Sequence, residues 1–229
     1  MVDYKEVVVF KYAFFNKEYS NQLLKEILSG NSCILTIDVE KLRNVINYQW
    51  FLTESEKEKY LSFTNDIKAN AFMKSHSLLN FLFSNWINVG ISELIYRTDQ
   101  NGKPYLDNEY GIQFNISHTD GYFAIVFSLS TVGIDIECKE NLVNIENIAS
   151  RFYCYREKAL NIETQGVLWC VKEAIAKLKG MSIMDAMAHY CLEKINIDEF
   201  EMCHLESNEK IIVKIIISNK DYICAYCKE

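Results

Sequence analysis

The sequence predicts an α+β protein. Three observations carry that prediction: strand-like β-branched and aromatic runs near both ends, a long helical segment over 66–89, and a nearly all-apolar run from Tyr122 to Leu129. With 229 residues and 49% hydrophobic content, the chain can build one sizeable domain or two small lobes sharing a core.

Val7 to Phe15 reads as a strand, and Lys17 to Leu28 as a helix stopped by Gly30. Cys33 to Val39 reads as a second strand. Thr53-Glu54-Ser55-Glu56 offers a helix start, with Thr53 as cap and Glu56 three residues on. Over 66–89, Phe72, Leu78, Leu79, Leu82 and Trp86 supply a stripe to bury. Turn-formers gather from Asp99 to Gly102, at Pro104 and at Gly111, which predicts a junction between an N-terminal lobe, 1–113, and a C-terminal lobe, 114–229. Tyr122 to Leu129 suits a strand covered on both faces, with Ser130-Thr131 as turn and Val132 to Glu137 as its partner strand. Helical signals occupy 145–160 and 166–179. Ile211 to Ile217 and Tyr222 to Tyr226 close the chain as strands.

The formal net charge of -7 argues against a nucleic-acid binder, which needs a basic face, although a few local lysines could hold an anionic substrate. Met1 to Phe15 carries Asp3, Lys5, Glu6 and Lys11, unlike a secretory signal, and no apolar run approaches the ~20 residues of a membrane helix. A cytoplasmic protein without a membrane partner is therefore expected. Eight irregularly spaced cysteines predict buried or free thiols in a reducing compartment. Cys224-x-x-Cys227 reads as two strand thiols, because Cys203-His204 is only a loose match for the further ligands a zinc site needs.

Four short segments carry chemistry. In Val132-Gly133-Ile134-Asp135-Ile136-Glu137, alternation along a strand puts Val132, Ile134 and Ile136 toward the core and Asp135 and Glu137 together on the other face. Paired carboxylates suit a hard cation such as Mg²⁺; a solvated acidic face is the competing reading, and the pair alone favours it. In the segment Trp169 to Gly180, Leu168, Val171, Ile175 and Leu178 form an apolar stripe, with Trp169, Glu173 and Lys177 nearly opposite. A surface Glu-to-Lys pair explains the charges but not the tryptophan aligned with them. Phe114-Asn115-Ile116-Ser117-His118-Thr119 reads as a loop offering Ser117 and His118 to a phosphate, and no G-x-S-x-G elbow supports a hydrolase. Gly102-Lys103-Pro104-Tyr105 reads as a proline-fixed turn that could hold Lys103 toward an anion; by itself it is only a turn.

In this order GKPY, FNISHT, GIDIE and WCVKEAIAKLKG resemble the Sfp-type (surfactin-synthetase-associated) 4′-phosphopantetheinyl transferases, over roughly residues 33–195. The resemblance implies two similar lobes in a pseudo-dimer, with the active site in the cleft between them. It implies transfer of 4′-phosphopantetheine from coenzyme A to a serine of an apo acyl or peptidyl carrier protein, with release of 3′,5′-ADP. Asp135, Glu137 and Glu173 would hold Mg²⁺. Glu173 would serve as base and Lys177 would stabilise the leaving group. Lys59, Lys103, Ser117 and His118 would bind the nucleotide end. The family's duplicated lobes favour a monomer. Ala71 stands where the family places an arginine, with Lys68 and Lys74 nearby, and around 56–62 the basic residues are chiefly Lys57 and Lys59. These departures motivate a second reading, a relative that binds coenzyme A or a carrier protein with little turnover. A third, a metal-dependent phosphoanhydride hydrolase, has no use for the GKPY and SHT segments. Ile37-Asp38-Val39-Glu40 mimics GIDIE but reads as a structural strand, since no W-x-x-K-E helix follows it.

Overall fold

The computed structural model describes residues 7–42 and 47–229. Asp3, Lys5 and Glu6, used above to argue against a leader, lie outside the described residues. The chain divides into two compact units, Met1–Asp99 with Pro104–Ser130, and Gln100–Lys103 with Thr131–Glu229.

The first unit runs β1 (Val7–Phe10), α1 (Lys17–Leu28), β2 (Ser32–Asp38), α2 (Glu54–Leu61), α3 (Asp66–Ile87), β3 (Tyr96–Thr98), β4 (Pro104–Leu106), β5 (Gln113–Thr119) and β6 (Tyr122–Ser128). Helix starts follow the local chemistry. The Asn16 side chain accepts from Tyr19 N, and Thr53 and Glu56 make the expected reciprocal capping box. Helix α3 ends at Asn88, whose φ of 53° is left-handed. Leu78, Leu79, Leu82 and Phe83 bury its apolar side, while Trp86 Nε1 donates to Ser20 O at 2.9 Å. The strand expected over Val7–Phe15 stops at Phe10, where pairing with β2 stops.

Among the described residues the main sheet of this unit has the order β1-β2-β6-β5, with β1 parallel to β2 and the other pairs antiparallel. This corrects two expectations. Strand β6 is flanked by β2 and β5, so both of its edges are taken and the strand after Ser130-Thr131 is not its partner. Ser117 and His118 belong to a strand rather than a loop, paired with Ala124 and Phe123 of β6. With β5 and β6 in the first unit's sheet, the compact units part after Ser130 instead of after residue 113. The turn 100–103 belongs to the second unit.

The second unit continues with β7 (Val132–Cys138), α4 (Ile145–Phe152), α5 (Tyr155–Lys158), α6 (Ile162–Lys179), α7 (Ile183–His189), β8 (Tyr190–Asn196), β9 (Glu199–His204), β10 (Lys210–Ser218) and β11 (Tyr222–Lys228). Its sheet is antiparallel throughout, in the order β7-β11-β10-β9-β8. Leu168, Val171, Ile175 and Leu178 of α6 are buried as their spacing predicts, against Met202, Val213 and Ala225 among others. The helix expected over 145–160 is broken instead. The backbone turns extended at Tyr153 and Cys154 (ψ 150° and 162°), which separates α4 from α5. Strands β8 and β9 escaped the sequence reading because Glu193, Lys194, Glu199 and Glu201 dilute their apolar pattern.

Cys224 and Cys227 are buried thiols on β11, as expected. Cys154 and Cys191 are not thiols: they form a disulfide across 37 residues, with 6.2 Å between Cα atoms. No helix among the described residues is long and apolar enough to cross a membrane.

Candidate active site

The acidic strand β7 and helix α6 meet at a glycine. A Cβ on Gly133 would lie 2.1 Å from Ala174 O and 2.6 Å from Leu178 N, so only glycine lets the helix backbone rest on the strand. Asp135 and Glu137 share Gly133's side of the strand by alternation. They therefore face the helix layer, whereas the sequence reading had turned that face away from the core. Ile134 and Ile136 are buried on the opposite side.

The close approach brings α6 side chains over the acidic pair. Lys177 Nζ lies 2.7 Å from Asp135 Oδ1, and Asp135 is only 5% exposed. Burial alone would lower Lys177's pKa, but bonding to Asp135 and the charge of Glu173 raise it. Glu137 Oε1 accepts from Cys138 N at 3.0 Å and from Asn141 Nδ2 at 2.8 Å, which orients its carboxylate. Burial, the charge of Asp135 and that of Glu137 push Glu173 above the usual carboxylate range, with Lys177 opposing. Cys170 is a fully buried thiol whose Sγ bonds Asp135 O at 3.4 Å.

Lys172, which the sequence reading left without a role, is wholly buried. Its Nζ lies 3.0 Å from Glu157 Oε2, donates to Tyr190 O and sits 5.3 Å from the Tyr153 ring centre. The signal was present in W-x-x-K-E, but its partner Glu157 stands 15 residues earlier, on a short helix. Lys103 also works within the second unit: its Nζ donates to Val132 O at 2.7 Å and reaches Leu178 O at 3.5 Å. It ties the start of β7 to the end of α6.

In the first unit, His118 Nε2 is 2.6 Å from Ser75 Oγ, and its ring stacks on His76 with centroids 5.9 Å apart. His76 Nδ1 lies 2.7 Å from Glu56 Oε1. Although burial would raise the pKa of Glu56, hydrogen bonding and charge from His76 hold it below the usual range. Ser117, one residue from His118, is 4% exposed. Lys59 Nζ lies 5.0 Å over the Phe72 ring. Ala71 is 1% exposed, packed into the core, and Lys74 donates to Val39 O at 2.7 Å. The sequence picked out Ser117, His118 and Lys59; it missed His76 and Ser75, which carry no motif.

Residues 131–227, covering β7 through almost all of β11, match the 4′-phosphopantetheinyl transferase superfamily. Two curated relatives align with the chain. One is the 4′-phosphopantetheinyl transferase gsp of Aneurinibacillus migulanus, 27% identical over 161 residues, 66% of each chain. The other is the 4′-phosphopantetheinyl transferase Sfp of Bacillus subtilis, 27% identical over 141 residues, 58% of this chain and 62% of the relative. Over these stretches the chain is similar to the 4′-phosphopantetheinyl transferases. The matched part spans a little under two thirds of the length of these relatives. Every residue of the β7–α6 constellation falls inside the transferase-family match, as do Glu157 and Lys172.

Proposed function

We propose that this protein transfers 4′-phosphopantetheine from coenzyme A to a serine of an apo acyl or peptidyl carrier protein, releasing 3′,5′-ADP. The observation that supports this most is the crowding of Asp135, Glu137 and Glu173 around a strand–helix contact, with Lys177 bonded to Asp135. Asp135 and Glu137 stand close enough to raise the pKa of Glu173, and the three carboxylates are all-oxygen donors of the kind Mg²⁺ takes, so the residues fit a hard divalent ion. Asp135, Glu137 and Glu173 would hold it. When bound, the ion would neutralise the coenzyme A pyrophosphate.

The chain's own groups supply the rest. Glu173 takes the proton from the carrier serine hydroxyl as the serine oxygen attacks the phosphorus next to pantetheine. The bond to the second phosphate breaks, and the departing 3′,5′-ADP takes the electron pair. Lys177 stays protonated and stabilises the charge that develops there. In this reading Lys59, Lys103, Ser117 and His118 bind the nucleotide phosphates. The family's pseudo-dimer, a monomeric state and a cytoplasmic location without nucleic-acid partners belong to the same proposal.

The test is incubation with an apo carrier protein, coenzyme A and Mg²⁺. Intact mass should rise by one phosphopantetheine, and the gain should vanish with a chelator, with Glu173→Gln and with Asp135→Ala. Coenzyme A binding without modification of any of several carrier proteins would instead favour the low-turnover reading that the buried Ala71 motivates.

A further inference from the structure

We propose that Cys154 and Cys191 are a reversible dithiol–disulfide couple that fastens α5 to β8 around the buried Glu157–Lys172 pair, so that thiol–disulfide conditions set how firmly this corner is held.

Three observations converge on the corner. Both cysteines are partly exposed, whereas the thiols of Cys33, Cys170, Cys224 and Cys227 are fully buried and pushed up by that burial. Only partly exposed sulfur can exchange with a small thiol without unfolding. Next, one carboxylate already grips both joined segments. Glu157 Oε2 accepts from Cys154 N at 3.0 Å, and Oε1 accepts from Leu192 N, the residue after Cys191, at 2.8 Å. Disulfide and carboxylate are thus two fasteners across one gap, and reduction leaves Glu157 to hold it alone. Finally, Glu157 also binds Lys172, the neighbour of Glu173 on α6. Loosening α5 from β8 weakens the anchor of that stretch of helix.

The chemistry balances with a low-molecular-weight disulfide such as oxidised glutathione. One cysteine thiolate attacks it, releasing a glutathione thiolate and forming a mixed disulfide. The second cysteine then displaces the other glutathione. The protein loses two electrons and two protons, and the oxidant becomes two thiols.

The experiment equilibrates the native protein across ratios of reduced to oxidised glutathione, traps free thiols by alkylation and reads each cysteine by peptide mass. Cys154 and Cys191 should pass together from alkylated to linked while the buried thiols do not change. On reduction, hydrogen exchange at the Cys154 and Leu192 amides should accelerate about tenfold, since local opening sets their rate. Cys154→Ser and Cys191→Ser should each show the fast rate at every ratio. The proposal is overturned if the pair stays linked at all ratios, never links, or links without slowing those amides. It is also overturned if the reduced protein retains a zinc ion on Cys154, Glu157 and Cys191, whose ligand atoms lie within 4.8 Å of one another. None of these readings needs coenzyme A or a carrier protein, so failure of the transferase proposal would leave them intact.

Discussion

Ile37-Asp38-Val39-Glu40 in the first unit and Ile134-Asp135-Ile136-Glu137 in the second are nearly the same words, and the fold uses them in opposite ways. Asp38 ends β2, where its Oδ1 accepts from Glu40 N at 3.0 Å and its Oδ2 pairs with Lys41 at 3.1 Å on the surface. Asp135 lies inside β7, buried, with Lys177 reaching it from α6. The difference traces to the residue two positions before each aspartate. Gly133 admits a helix backbone; Thr36 holds that place in β2. An acidic strand becomes a candidate site only where a helix can close on it.

Substitutions can break this contrast, beginning with the largest effect. Asp135→Ala should lower phosphopantetheine transfer about a thousandfold, while Asp38→Ala stays within about twofold, measured by intact mass of the carrier under the same conditions. Equal losses would mean that the two strands are functionally alike. Removing the anchor behind α6 comes next. Lys172→Met strands Glu157 in the core and should cost about 4 kcal/mol in denaturant unfolding, whereas pairing it with Glu157→Gln, which removes the charge but keeps an acceptor for the Cys154 and Leu192 amides, should recover part of that loss. Gly133→Ala should cost about 3 kcal/mol by forcing the helix off the strand, against about 1 kcal/mol or less for Thr36→Ala in β2.

The smallest effect is a pH dependence. A raised folded-state pKa means that the ionised form of Glu173 opposes folding, so its contribution to stability is present at acid pH and lost as pH rises through the folded pKa. In chelator, Glu173→Gln should therefore melt higher than the parent at pH 7. The gap should close as pH falls, and vanish below the ordinary value of 4.5. A gap of the opposite sign would show that Lys177 outweighs the crowding.

Much of the candidate site was legible because its parts are local. The buried stripe of Leu168, Val171, Ile175 and Leu178, and the alignment of Glu173 with Lys177 one turn on, follow from helical period alone. Alternation put Asp135 and Glu137 on one face. Which layer that face meets was not legible, since it depends on a close approach at Gly133 by residues some 40 positions away. Glu157 with Lys172, and Cys154 with Cys191, were hidden for the same reason: each is a pairing across the corner between α5, α6 and β8. Ser117 and His118 misled because polar residues in a ladder look like loop until their partner strand is known.

Legible in the chain alone were the mixed α+β class, the Thr53 cap, the limits of the Lys17–Leu28 helix and of most of the helix over 66–89, and the acidic and basic residues of the β7–α6 constellation. These depend on side-chain period and on hydrogen bonds between residues three or four apart. Long-range packing set the rest: β6 pairs with β2 and β5, the compact units part after Ser130, Lys177 answers Asp135, and one carboxylate and one disulfide close the same corner. Those outcomes depend on which surfaces exclude water together, and contacts between distant segments leave no period in the chain that makes them.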